Sequence, residues 1–162
     1  MSVTCEYSES NGVGETVHDN IANLNFGSND SYEIVPSTYP VIAGTNSYIK
    51  YIRGKFTGTF TEISNIKFWK SIGAMATGEV ITAEENVAYA TPVNGLSGDA
   101  AVPTDVGSAL SLNSAEGDPT IIYGASGVSG YTGYIRLQLQ TSISTPPGAV
   151  AQKTFVMQYD AV

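Results

Sequence analysis

Residues 47–60, SYIKYIRGKFTGTF, alternate with a period of two. Tyr48, Lys50, Ile52, Gly54, Phe56, Gly58 and Phe60 fall on one side, and Ile49, Tyr51, Arg53, Lys55, Thr57 and Thr59 on the other. Successive side chains of a strand point to opposite faces, so this pattern predicts a β-strand whose first set faces a core. Gly54 and Gly58 mark a bulge or the close approach of another backbone. A short turn at Thr61 and Glu62 leads into a second alternating run, ISNIKFWKS (63–71), and the two are predicted to form a hairpin. Ile66, Phe68 and Lys70 then share the core side, with Lys67 and Trp69 on the outer side.

Two further long strands are predicted. In GYIRLQLQTSIS (133–144), Ile135, Leu137, Leu139 and Ile143 alternate with Arg136, Gln138, Gln140 and Ser142, the mark of a half-buried antiparallel strand with a wet outer face. TPPG (145–148) makes a connection, and AQKTFVMQYD (151–160) alternates again. Shorter candidates are ANLNFG (22–27), SYEIV (31–35), GEVITA (78–83), NVAYAT (86–91) and PTIIYG (119–124), each bounded by turn formers. The best helical window, DVGSALSLNSAEG (105–117), is short and interrupted by Gly107. Eight or more short strands without long helices predict an all-β fold: a single antiparallel β-sandwich, jelly-roll-like. Residues 1–20 show little periodicity and are predicted to form an extended N-terminal arm, with the β-sandwich domain spanning 21–162.

Composition supports this picture. A chain of 162 residues suits one domain and buries about 70% of its unfolded surface, enough for a core without staples. Only 14% of residues are charged, against roughly a quarter in ordinary domains, which argues against a charged helical bundle. The net charge of −8 excludes nucleic-acid binding through a general basic field, and attachment to an anionic membrane. Yet Lys50, Arg53, Lys55, Lys67 and Lys70 fall within one short stretch, leaving only Arg136 and Lys153 elsewhere. One cysteine, Cys5, forms no internal disulfide. No secretory signal is expected from MSVTCEYSES, and no apolar run reaches the ~18 residues of a membrane span. A reducing cytosol is the expected site of synthesis.

Candidate chemistry is sparse. His18 is the one histidine and reads as a surface residue; Cys5 as a nucleophile would need a base such as His18 beside it. Carboxylate pairs occur at Glu84–Glu85, Glu116–Asp118, and Asp99 with Asp105. SGDAAVPTD (97–105) and AEGDP (115–119) hold oxygen ligands but miss the calcium-loop spacing, and read as solvated turns. GVGETV (12–17) lacks the Gly-Lys-Ser/Thr ending of a phosphate loop, and GASGVSGYTG (124–133) has glycines without a preceding βα unit. One Cys and one His do not make a zinc site. No cofactor or metal is expected, and the weight falls on binding or structural roles.

Arg53, Lys55, Lys67, Trp69 and Arg136 all alternate to the outer side of their strands, and form the candidate partner interface. Trp and Arg are enriched at interface hot spots. The competing reading is a lid: Trp69 closes one end of the sandwich while lysine stems cover apolar surface.

ISNIKFWKSIG after YIRGKFTGTF, with YIRLQLQ (134–140), TPPGAV (145–150) and TFVMQYDAV (154–162), resembles a pattern of small β-sandwich virion proteins of tailed phages. The resemblance covers residues 47–71 and 133–162, about half the chain. It implies a non-enzymatic particle component: a capsid decoration or cement protein, or a neck or tail protein. It also implies residence in the virion, synthesis in the host cytoplasm, and the major capsid protein or other virion subunits as partners. Homo-oligomers, trimers above all, are implied as well. The rival readings are a carbohydrate-binding β-sandwich module, with an aromatic platform and a bound calcium, and a small hydrolase using carboxylates of the 84–118 loops.

Overall fold

The computed structural model describes residues 2–113, 122–123, 130–148 and 151–162. Among these residues the fold is all-β, with no helix. The strands are β1 (Ser2–Asn11), β2 (Thr16–His18), β3 (Lys50–Thr59), β4 (Glu62–Ile72), β5 (Glu79–Val87), β6 (Leu110–Ser111), β7 (Ile122–Tyr123), β8 (Gly130–Tyr131), β9 (Tyr134–Thr141) and β10 (Thr154–Ala161). They form two sheets with antiparallel pairing throughout. The larger runs β2-β1-β3-β9-β5, with β8 also beside β3; the smaller runs β10-β4-β6, with β7 also beside β4.

β3 and β4 do not form the expected hairpin. They lie in different sheets, and the chain crosses between them at Phe60 and Thr61. Both strands carry an apolar row: Ile52, Phe56 and Phe60 on one side of the crossing, Ile63, Ile66 and Phe68 on the other, each at most 4% exposed. In a hairpin the two rows would lie on one face and still need a cover. Crossing between sheets turns them towards each other, so each row covers the other. Ile81, Ala83, Ile135, Leu137, Val102 and Leu112 complete this core.

Residues 2–11, expected to be an arm, are a full strand. β1 pairs with β3 from Ser2↔Thr59 to Ser10↔Tyr51, and Val3, Cys5 and Tyr7 pack on the core. Its last four residues, Ser8 to Asn11, are buried polar groups, which hid the strand from a hydrophobic pattern. Gly58 lets β1 approach: its φ is +107°, and a Cβ there would lie 2.1 Å from the Ser2 carbonyl oxygen. GVGETV is the turn of the β1–β2 hairpin, with positive φ at Gly12, Gly14 and Glu15.

ANLNFG and SYEIV are not strands. Residues 20–45 wrap as a loop whose backbone groups bond locally: the Asn25 amide donates to the Ile34 carbonyl (3.0 Å), and Ser28 N–H to Tyr39 C=O (3.0 Å). Ile34, 2% exposed, pins this loop down. The candidate at 78–83 lies in β5, which continues through a bulge at Asn86 to Val87; residues 88–91 of the candidate at 86–91 are not strand. In the window 105–117, Asp105 caps a turn through Ser108 N–H (2.9 Å) and β6 follows; residues 114–117 lie outside the described residues. Of PTIIYG only β7 is described, and of GASGVSGYTG only residues 130–133.

Candidate interaction surface

The five outer residues singled out from the sequence occupy two opposite faces. Arg53, Lys55 and Arg136 lie on the outer face of the larger sheet, and Lys67 and Trp69 on the outer face of the smaller one. The expected single basic face therefore does not exist, because it rested on the hairpin that the crossing at Phe60 replaces.

On the larger sheet two of the three cations, Lys55 and Arg136, are neutralised from within. Lys55 Nζ lies 2.6 Å from Asp19 Oδ2 and 3.5 Å from Glu6. Arg136 makes a two-pronged bond to Asp99, at 2.9 Å through Nε and 2.5 Å through a terminal nitrogen, and this bond holds its pKa above the ordinary arginine value. Such forked pairs are among the stronger protein ion contacts. Arg53 is stacked instead of paired: its guanidinium carbon stands 4.0 Å from the ring centre of Tyr131 and 4.6 Å from that of Tyr134. Burial pushes the Arg53 pKa down, against the pull of Glu15, Tyr131 and Asp19. Its Nε has no hydrogen-bond partner among the described residues.

The same face holds a second apolar cluster. Ile49, Tyr51 and Tyr134 are buried there beneath Val87 and Tyr89. Tyr89 donates to the Gly12 carbonyl (2.6 Å), and the Tyr134 hydroxyl meets Ser10 (3.1 Å) and donates to the Glu15 carboxylate. Tyr51 and Tyr134 are buried, and Tyr134 and Tyr89 are fastened to the β1–β2 hairpin by their hydroxyls. Only alternation at Ile49 and Tyr51 hinted at this cluster.

The outer face of the smaller sheet is different. Trp69 is partly exposed, next to Lys67 along β4 and opposite Val156 across the β4–β10 ladder. Lys67 Nζ donates to the Ser111 hydroxyl (2.6 Å). No carboxylate lies within ion-pair distance of Lys67 among the described residues. Thr154, Gln158, Ser71 and Ile72 extend this face, with Ile72 66% exposed. Lys70, by contrast, points to the core side as its alternation predicted, and its Nζ donates to the Gly73 carbonyl (2.6 Å). Near it, Lys153 meets Glu79 at 2.8 and 2.9 Å. Lys70, Glu79, Met75, Ile81 and Val102 help to line an open cleft of about 330 Å³. Sequence reasoning missed the Lys153–Glu79 pair, because the partners are 74 residues apart.

The candidate catalytic groups are not brought together. Cys5 packs against the Met157 sulfur at 3.9 Å, and burial pushes its thiol up to about 12. A thiol so placed is a poor nucleophile. His18 stacks on Tyr32, ring centres 4.2 Å apart. Asp99 is held by Arg136, and Asp105 caps its turn. Among the described residues no three His, Cys, Asp or Glu side chains cluster as metal ligands. Glu116, Asp118 and AEGDP lie outside the described residues.

No family model, no curated protein and no solved structure matches this chain.

Proposed function

We propose that the protein is a non-enzymatic structural component of a phage particle, a capsid decoration or cement protein that docks on the capsid lattice and associates with copies of itself. The carrying observation is the partly exposed Trp69 beside Lys67 on an outer face where Lys67 has no carboxylate within ion-pair distance among the described residues and the Asp160 carboxylate is held by the Asn65 amide. A large aromatic ring next to a lysine that, among the described residues, bonds to a serine hydroxyl and to no carboxylate suits an interface anchor, since buried aromatic rings are prominent at hot spots. The segments that carry the resemblance to virion proteins support the same reading: they form β3 and β9, neighbours in the larger sheet, and β4 and β10, neighbours in the smaller one. With Lys55 and Arg136 of the larger sheet neutralised and Arg53 stacked on tyrosines, the smaller sheet is the better supported docking face.

The experiment is co-sedimentation of the purified chain with capsids of the phage that carries its gene. The wild-type chain should bind, and Trp69→Ala should melt cooperatively yet bind at least about 30-fold more weakly, the equivalent of a ~2 kcal/mol hot spot. A strict monomer that stays in the supernatant at all concentrations rules the proposal out. So does unchanged binding by Trp69→Ala.

A further inference from the structure

The edges of the two sheets are treated unequally. The outer side of β5 is covered: Ala83 N–H donates to Ala100 C=O (2.9 Å) and Val102 N–H to Ile81 C=O (2.8 Å). β1 is covered by β2 over Glu9–Asn11, and its Tyr7 carbonyl accepts from Ile21 N–H (3.0 Å). The side of β4 away from β10 is occupied by β6, by β7 and by Pro103. β10 pairs with β4 alone, so among the described residues one whole side of this eight-residue strand has no backbone partner.

The parity of the ladder identifies the open groups. Lys70 N–H donates to Pro103 C=O and Ile66 C=O accepts from Leu112 N–H, so these even residues of β4 bond away from β10. Lys67 and Trp69 therefore bond towards β10, where they face Gln158 and Val156. In an antiparallel ladder the remaining positions point outward. The N–H and C=O groups of Phe155 and Met157 thus project from the open edge.

Monomeric proteins guard such edges with lysine, proline or inward charges. Thr154–Tyr159, TFVMQY, has none of these. Asp160 is the one charged residue of β10, and its carboxylate accepts from the Asn65 amide at 2.6 Å. We propose that β10 is an assembly edge, pairing antiparallel with β10 of a second copy of this chain about a two-fold axis at Val156.

The register follows from side-chain matching. Centred on Val156, Phe155 pairs with Met157 of the second copy through the open backbone groups, and Thr154 faces Gln158. Asp160 faces Gln152, so no like charges meet despite a net charge of −8 on each chain. The two Val156 side chains face each other, and each already lies opposite Trp69, which joins both Trp69–Val156 pairs into one apolar strip. The smaller sheets of the two copies then form one continuous sheet. The contact is isologous and closed, which ends association at two copies through this edge.

This inference rests on the reading of the chain as an assembly subunit and names the surface by which it self-associates. It is tested on the full chain without capsids. Light scattering should give a dimer for the wild type. Val156→Glu and Val156→Lys should each give a folded monomer, since like charges meet on the axis, and an equimolar mixture of the two should restore the dimer. Val156→Cys reads the same register without relying on charge: facing residues at a non-hydrogen-bonded position lie about 4.5 Å apart at Cα, within disulfide reach. Mild oxidation should therefore cross-link Val156→Cys but not Gln158→Cys, and Cys5→Ser in both backgrounds removes the native thiol as a partner. A monomeric wild type, a trimer, or a dimer untouched by the Val156 variants and uncrosslinked by Val156→Cys overturns the proposal. A dimer that ignores capsids leaves this pairing intact and removes the particle role; capsid binding by a strict monomer does the reverse.

Discussion

Lys50 Nζ lies 2.6 Å from Glu9 Oε1, and each side chain is 1% exposed. The pair joins β1 to β3 at the core end, and its remaining bonds are supplied locally. The Asn11 amide donates to the same carboxylate oxygen (2.9 Å), and Lys50 also donates to the Ser31 carbonyl (3.0 Å). Removing one partner leaves an uncompensated buried charge, so Lys50→Met and Glu9→Leu should each cost about 3–5 kcal/mol. The double variant should recover most of that loss, because apolar replacement of a buried pair is often close to neutral. Denaturant melts of the four proteins measure this as a double-mutant cycle. Strictly additive losses would show that the two charges do not act as a pair.

Deleting residues 1–11 should abolish cooperative melting. The deletion removes β1, and with it Val3, Cys5 and Tyr7 from the core, the partner of Lys50, and the anchor of β2. It also leaves the β3 edge unpaired along nearly its whole length. Circular dichroism during heating reads the result. A sharp transition in the truncated protein would mean that residues 2–11 form a detachable arm.

The strands that were readable from sequence are those with apolar rows. Ile135 and Leu137, or Ile66 and Phe68, need only water on one side and oil on the other to declare their faces. β1 was not readable, because Ser8, Glu9, Ser10 and Asn11 are buried only by virtue of partners remote in sequence: Asp19, Lys50, Tyr134 and Asp30. Alternation also fixes a face without fixing a sheet. The rows of β3 and β4 satisfy a hairpin and a crossing equally well, and the choice depends on what covers them. The same gap split the candidate surface: Lys67 and Trp69 point outward as read, but from the opposite sheet to Arg53, Lys55 and Arg136.

Asp19 should give the protein a pH signature. Burial pushes its carboxyl up, but bonds from Lys55 (2.6 Å), Ser8 (2.6 Å) and Tyr131 (3.4 Å) outweigh this and hold it below the usual carboxylate value. Its bond to Asp19 in turn holds the Lys55 ammonium above the ordinary lysine value. The unfolded chain takes up the Asp19 proton first in acid, so this stability is present above about pH 4 and lost as pH falls through the lower folded value. The Lys55 contribution is present below about pH 10 and lost as pH rises through its raised folded value. Asp19→Asn should flatten both limbs and cost about 0.2–1 kcal/mol between them, the range of a part-exposed pair. Melting temperatures across the pH range check this; parallel acid limbs for variant and wild type would count against it.

Asn86 joins the two sheets with one amide. Glu85 faces Ile135 and Val87 faces Tyr134, so Asn86 is the extra residue of a bulge, and its φ is +55°. Its Oδ1 accepts from Asn113 N–H (2.7 Å) and its Nδ2 donates to Ser111 C=O (2.9 Å), tying the edge of β5 to the end of β6. Asparagine suits both tasks: it tolerates a left-handed backbone and offers a donor and an acceptor together. Three substitutions separate the two tasks. Asn86→Asp keeps the acceptor, loses the donor and should cost least. Asn86→Gly keeps the backbone freedom but loses both bonds, about 1–2 kcal/mol at roughly 1 kcal/mol each less exposure. Asn86→Ala loses both bonds and adds the left-handed strain of a Cβ, roughly 1 kcal/mol more. Chemical denaturation should therefore rank stability as wild type, Asp, Gly, Ala. If Ala is no worse than Gly, the bulge relaxes out of its left-handed conformation once the amide is gone, and the side-chain bonds alone hold the bulge in shape.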